Sequence, residues 1–157
     1  MKSNISNTKK QHNQVVGKVI KLFISQENSS NRILKERLYL DHSGVIDDKF
    51  YSKDINRSVL ISSIKSYSMA QENNISINYG ELGENILIDY NPYDLPTGTQ
   101  IKIGEVTTLE ISQNCTLCKS LTKIDTKLPK LLKDDRGIFA KVVKSGYIHI
   151  GDEITIL

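Results

Sequence analysis

The feature that most limits what this chain can become is its C-terminal half. There six short segments are rich in alternating apolar residues: ILIDY (86–90), QIKIG (100–104), VTTLEIS (106–112), GIFAKVV (137–143), YIHIG (147–151) and EITIL (153–157). A two-residue period puts every second side chain on one face, the pattern of a strand with one buried side. Turn formers separate the segments: Pro92, Pro96 and Gly98, then Gly104 and Glu105, Ser145 and Gly146, and Gly151 and Asp152. Many short strands joined by tight turns predict a closed or nearly closed barrel, because closure removes strand edges that would otherwise pair with other molecules. The expected fold is mainly β, a β-barrel with a few short helices.

The N-terminal half fits this scheme with one more helix. VVGKVIKLFIS (15–25) reads as a first strand, and QENSSNR (26–32) as a polar turn. The following ILKERLYLDHSGVIDD (33–48) continues as a second strand through Leu38 and Leu40 and breaks at Ser43 and Gly44, although its Leu-Lys-Glu-Arg-Leu run also suits a helix turn. SVLISSIKSYSMAQENN (58–74) places Leu60, Ile64 and Tyr67 at helical spacings and predicts the principal helix, stopped by Asn73 and Asn74. Between Cys118 and Gly137, Pro129 allows one short helix at most unless it lies in a first turn.

With 157 residues the chain is the size of one domain, expected over 15–157. Residues 1–14, MKSNISNTKKQHNQ, hold no apolar block, so they lack the centre of a secretory signal and read as a flexible tail of a cytoplasmic protein. Lys2, Lys9 and Lys10 account for the whole formal charge of +3, which leaves the folded part near neutral. A neutral body with 6% aromatic residues and no Trp argues against a nucleic-acid partner. No run approaches the ~18 consecutive apolar residues of a membrane span, so no membrane partner is expected.

Three glycine-punctuated clusters hold the candidate chemistry. GELGENI (80–86) reads in isolation as a loop in which Gly83 takes a positive φ and Asn85 bonds the backbone. ISQNCTLCKSL (111–121) carries both cysteines, Cys115 and Cys118, in one C-x-x-C. A bridge across so short a loop restrains the unfolded chain little, and a structural zinc site needs about four ligands where only the distant His42 and His149 remain. Thioredoxin-type exchange expects a βαβ setting, so a redox, metal or sulfur-handling role and plain core packing all stay open. GDE (151–153) reads as a hairpin turn.

Taken in order, seven pieces resemble the MOSC domain, the domain type named for the C-terminal part of molybdenum-cofactor sulfurases. They are SGVIDDKF (43–50), NRSVLIS (56–62), GELGENI, GTQIKIGEVTTLEIS (98–112), QNCTLCKSL (113–121), RGIFAKVVKSG (136–146) and GDEITIL (151–157). The resemblance implies a β-barrel with a few short helices, and it implies that Cys118, followed by Leu121, matches the family's important cysteine, with Cys115 an additional thiol. Such a cysteine holds a persulfide or ligates molybdenum in a bound pterin cofactor, and both tasks need a thiolate. Lys119 adjoins Cys118, and Arg57 and Arg136 match basic family positions suited to lowering the thiol pKa or binding the pterin phosphate. Asn85 and Asp48 match the other pocket-lining positions. One departure stands out: Asp47 occupies a place where the family commonly has Gly, adding a carboxylate that repels phosphate and restricts the backbone.

The resemblance therefore implies a stand-alone protein that binds molybdenum cofactor, carries sulfur as a persulfide on Cys118, or does both, with a separate sulfur donor or molybdoenzyme as partner. Cys115 is then a resolving thiol. A small molybdenum-dependent reductase of N-hydroxylated compounds and a chemically inactive interaction module are the alternatives. No pyridoxal-phosphate domain fits in the chain, so a complete cysteine desulfurase is excluded.

Overall fold

The computed structural model describes residues 13–29, 32–116 and 119–157. The tail expected over 1–14 falls largely outside them, and its last residue already belongs to a strand. In chain order the strands are β1 (Gln14–Ser25), β2 (Arg32–Lys35), β3 (Arg37–Asp41), β4 (Gly44–Val45) and β5 (Val59–Ser63), then helix α1 (Ile64–Glu72). β6 (Ile86–Ile88), β7 (Gln100–Ile103) and β8 (Thr107–Asn114) follow, then α2 (Lys119–Ile124) and α3 (Leu128–Leu131). β9 (Ile138–Lys144), β10 (Gly146–His149) and β11 (Glu153–Ile156) complete the chain.

Seven of these strands close a ring in the order β1, β6, β5, β9, β8, β7, β11 and back to β1, with β2 added to the outside of β1. The ring is antiparallel except for β5 and β6, which run parallel. A parallel pair needs a crossover, and α1 with the loop after it supplies one. β10, β3 and β4 form a small second sheet. The mainly β barrel read from the turn spacing is what the structure has. No described helix is long and apolar enough to cross a membrane.

Two helix expectations need correction. The segment 58–74 is not one helix: Val59–Ser63 is a fully buried strand, and only Ile64–Glu72 is helical. Val59, Leu60 and Ile61 share an apolar run that suits burial on both faces, and this outweighs the 3.6-residue spacing of Leu60, Ile64 and Tyr67. Ser63, with extended backbone (φ −101°, ψ 149°), takes the N-cap by accepting from the Lys65 N–H. Asn74, at φ 61°, ends the helical stretch as expected. Between Cys118 and Gly137 there are two short helices rather than one, because the Asp125 side chain accepts from the Lys127 N–H at 2.8 Å after the first, and Pro129 lies in the first turn of the second.

The barrel interior is filled by alternating side chains, among them Val59 and Ile61 of β5, Ile86 and Ile88 of β6, and Ile138 and Ala140 of β9. The residues between them face outward and are covered separately. Leu87 joins a second cluster with Tyr67, Ala70, Leu82, Leu121, Leu128 and Leu132 under the helices. Leu60 and Phe139, paired across β5 and β9, join Cys115 in a third. That outward patch carries the candidate site.

Candidate functional site

The site begins at the Leu60–Phe139 pair. The Cys115 N–H donates to the Gly137 carbonyl at 3.0 Å, which lays the end of β8 over the start of β9 and packs the Cys115 side chain on Leu60 and Phe139. Cys115 is a free thiol only 3% exposed. Arg57 ends a 3-10 turn (Ile55–Arg57) whose N-cap is Asp54, accepting from the Asn56 N–H at 3.0 Å. This turn projects the exposed Arg57 guanidinium 5.7 Å above the Phe139 ring.

Arg136 approaches from the other side and is only 6% exposed. Its Nη2 donates to the Leu82 carbonyl at 3.2 Å and to Ser120 Oγ at 3.0 Å, joining the glycine loop before β6 to the first turn of α2. Gly83, at φ 90°, supplies the turn that presents the Leu82 carbonyl. A guanidinium has five N–H hydrogens, and those on Nε and Nη1 are buried without a hydrogen-bond partner among the described residues. Leaving charged donors unmet costs several kcal/mol, on the order of a lost charged hydrogen bond for each.

Asn85 positions this patch from beneath. Its Oδ1 accepts from the Leu60 N–H at 3.0 Å and its Nδ2 donates to the Phe23 carbonyl at 3.3 Å, while its own backbone bonds Leu60 and Phe23 again. Both ends of the amide therefore stitch β5 to β1. Asp48 is also engaged in the fold: its Oδ1 accepts from Ser25 N–H at 2.7 Å and its Oδ2 from Phe50 N–H at 3.2 Å. No direct contact among the described residues joins Asp48 to Arg57, Cys115 or Arg136. Asp47 stands exposed with φ 73°, in the left-handed region that glycine adopts freely. Cys118 and the Lys119 side chain lie outside the described residues.

The sequence-derived residues thus divide. Arg57 and Cys115 both contact Phe139, Arg136 precedes the Gly137 that bonds Cys115 while its guanidinium bonds Leu82 and Ser120, Asn85 bonds the Leu60 backbone, and Asp48 belongs to a separate turn. Ser120, Leu82 and Phe139 complete the patch and were not singled out from the sequence, since nothing in a Leu, a Ser or a Phe between strands marks a partner distant in the chain. A second buried polar cluster lies behind the glycine loop. Glu84, fully buried, accepts from Tyr67 O–H at 2.6 Å and from Gly80 N–H at 3.2 Å, and its Oε1 has no partner among the described residues. Burial pushes the Glu84 carboxyl above its ordinary range against the opposing effect of these bonds and of Arg32. Burial, with the nearby Glu84, likewise raises the Tyr67 hydroxyl. Arg32 donates to Ser25 Oγ and to the Glu84 carbonyl, so two arginines hold alternate carbonyls of one loop.

Among the described residues no group of three or more His, Cys, Asp and Glu side chains forms a metal site. What the described residues offer is a buried guanidinium with unmet donors, an exposed one over an aromatic ring, and the buried thiol of Cys115. The fold is a closed, mainly β barrel with a few short helices. Residues 41–155 match the family model of the MOSC domain, and the chain belongs to that family.

Solved structures agree on the fold. The YUAD protein from Bacillus subtilis superposes with a TM-score of 0.80 at 18% identity, covering 90% of this chain and 95% of that one. YiiM from Escherichia coli gives 0.69 at 15% identity over 92% of this chain and 70% of that one. YiiM from Geobacillus stearothermophilus gives 0.61 at 14% identity, with 92% and 75% covered. No curated protein matches the sequence.

Proposed function

We propose that this MOSC domain protein binds molybdenum cofactor through Arg136 and Arg57 and uses Cys118 as its reactive thiol, holding sulfur as a persulfide or ligating molybdenum. The observation that carries the reading is the buried Arg136 guanidinium, whose Nε and Nη1 hydrogens have no partner among the described residues. A phosphate monoester fits such donors, since it accepts several charge-assisted hydrogen bonds and offsets the buried charge. When bound, the cofactor supplies that phosphate and a metal for which a thiolate is a suitable ligand.

The chain's own residues divide the remaining work. Arg136, held in place by Leu82 and Ser120, orients the anion, and the exposed Arg57 adds charge at the solvent side. Positive charge from these groups and Lys119 favours the Cys118 thiolate. Cys115 acts as the resolving thiol. Deprotonated, it attacks the Cys118 sulfur of a persulfide; the Cys115–Cys118 disulfide forms, the persulfide S–S bond breaks, and the outer sulfur leaves as hydrosulfide. A separate sulfur donor or an acceptor molybdoenzyme is the partner this step needs, and a dithiol reductant returns the disulfide to two thiols for the next turn.

Protein purified from its own host, analysed for molybdenum, pterin fluorescence and cyanide-labile sulfur, tests the proposal. Molybdenum with pterin, or one labile sulfur lost on Cys118→Ala, is expected. Absence of all three, with no uptake of added cofactor, would leave the interaction-module reading in its place.

A further inference from the structure

We infer that Tyr93, with Ser62 and Ser66, is the positioning device of the anion-binding arginine. This rests on Arg136 serving as the ligand donor proposed above, but the device itself is visible without a ligand. The Arg136 carbonyl accepts from Ser62 Oγ at 2.9 Å and lies 3.2 Å from Tyr93 O–H. Tyr93 O–H is also 2.6 Å from Ser66 Oγ, accepts from the Ser63 N–H at 2.8 Å, and sits beside the contact of Ser66 Oγ with the Asp135 carbonyl. Tyr93 and Ser66 share two hydroxyl protons, and their acceptors are each other and the carbonyls of Asp135 and Arg136. Whichever way those protons turn, the peptide preceding β9 is tied to the end of β5 and the first turn of α1.

Each member of this network is almost fully buried: Ser62 0%, Ser63 1%, Ser66 0% and Tyr93 6% exposed. Burial pushes the Tyr93 hydroxyl up to about 12, so it remains a neutral donor at physiological pH. Outside the network, Lys65 pairs with Asp135 at 3.4 Å. The Arg136 backbone is thus fixed from one side while Leu82 and Ser120 hold its Nη2 from the other. Fixing both ends of a long side chain removes most of its rotamer freedom before any ligand arrives, which raises affinity by lowering the entropy cost of binding. Three hydroxyl groups packed into a small core have a simpler alternative role in stability alone, and the two roles separate by measurement.

The test uses the full-length protein labelled with nitrogen-15, with the Arg136 Nε–H order parameter and inorganic phosphate titration as readouts. A rigid side chain gives an order parameter near that of ordered backbone, about 0.85, and a loosened one falls below about 0.6. Tyr93→Phe and Ser62→Ala are expected to lower it and to weaken phosphate binding about five- to tenfold, the effect of one net hydrogen bond. Thr107→Val is the control: it removes a buried hydroxyl that caps the Tyr147 carbonyl at 2.8 Å, loses stability comparably, and leaves Arg136 unchanged. A mobile Arg136 in the native protein, or order parameters unmoved in both variants, overturns the inference. A rigid Arg136 that Tyr93→Phe or Ser62→Ala loosens, in a protein that binds neither phosphate nor cofactor, supports the positioning device and refutes the proposed function.

Discussion

Replacing Glu84 by Gln should make this protein more stable as pH rises, a result opposite to the usual loss of a buried hydrogen-bonded carboxylate. Glu84 is fully buried, and of its two oxygens only Oε2 has partners, the Tyr67 hydroxyl and the Gly80 N–H. Burial raises its pKa, and the bonds from Tyr67 and Gly80 and the charge on Arg32 only partly oppose this. Between the ordinary unfolded value, about 4.3, and the raised folded value, the folded state binds more protons than the unfolded state. Stability in that window therefore falls with pH, by at most about 1.4 kcal/mol per unit, and above the folded pKa the full desolvation cost is present. Glutamine mimics the protonated acid and removes this slope. The expected difference, variant minus native, is near zero at pH 4 to 5 and grows in favour of the variant as pH rises through the window in which native Glu84 loses its proton. Urea unfolding at pH 5, 6.5 and 8 with unchanged m-values measures it. A flat difference, or a variant that loses ground as pH rises, would show that Glu84 ionises at no net cost and would refute the argument.

Asp47→Gly should stabilise the fold by about 0.5–1 kcal/mol by relieving a left-handed backbone, partly offset by glycine's greater unfolded freedom, and thermal unfolding reads this directly. The same change should tighten cofactor binding by removing a negative charge; unchanged affinity would separate that loop from the site. Arg136→Lys should weaken cofactor binding about tenfold or more, because it removes the Nε and Nη1 donors assigned to the phosphate. Arg57→Lys, at an exposed residue, should affect binding and leave stability within about 0.5 kcal/mol. Cys118 should alkylate faster than the 3%-exposed Cys115 at neutral pH, as mass spectrometry after limited labelling would show; equal slow labelling of both would favour an inert pair.

The barrel was legible because its evidence is local. Alternation in β7, β8, β9 and β11, with turn residues at their ends, needs no knowledge of what each strand pairs with. The stretch read as one second strand through Leu38 and Leu40 is β2 and β3, which lie in different sheets. β5, read as the start of a helix, carries no alternation since both of its faces are covered. Ile61 faces the barrel interior, Leu60 the outer patch, and Ser62 and Ser63 the hydroxyl network. A strand buried on both sides can hold the apolar positions of a helix, and only its continuation into a capped helix at Ser63 separates the two.

The site was legible to the extent that charge and thiol are rare enough to be noticed, and hidden where its partners are ordinary. Arg57 and Arg136 were named only through the family resemblance; what makes Arg136 different is the set of uncharged groups around it, a Leu carbonyl, three serines and a tyrosine from four segments. NPYD reads as turn punctuation, yet its Tyr93 reaches the backbone of the key arginine. GELGEN reads as a flexible loop, yet two arginines bind its alternate carbonyls and its acid is wholly buried. Bland loop chemistry is the right reading of such segments taken singly, because glycine, asparagine and serine satisfy the backbone locally in most turns. Only the long-range pairing of β5 with β6 and β9 brings β5, β9 and the glycine loop together, and the cost of unmet buried donors then falls on Arg136. The same pairing explains why Asn85, a ligand group by the family resemblance, has both ends of its amide engaged by strands, one on Leu60 of β5 and one on Phe23 of β1.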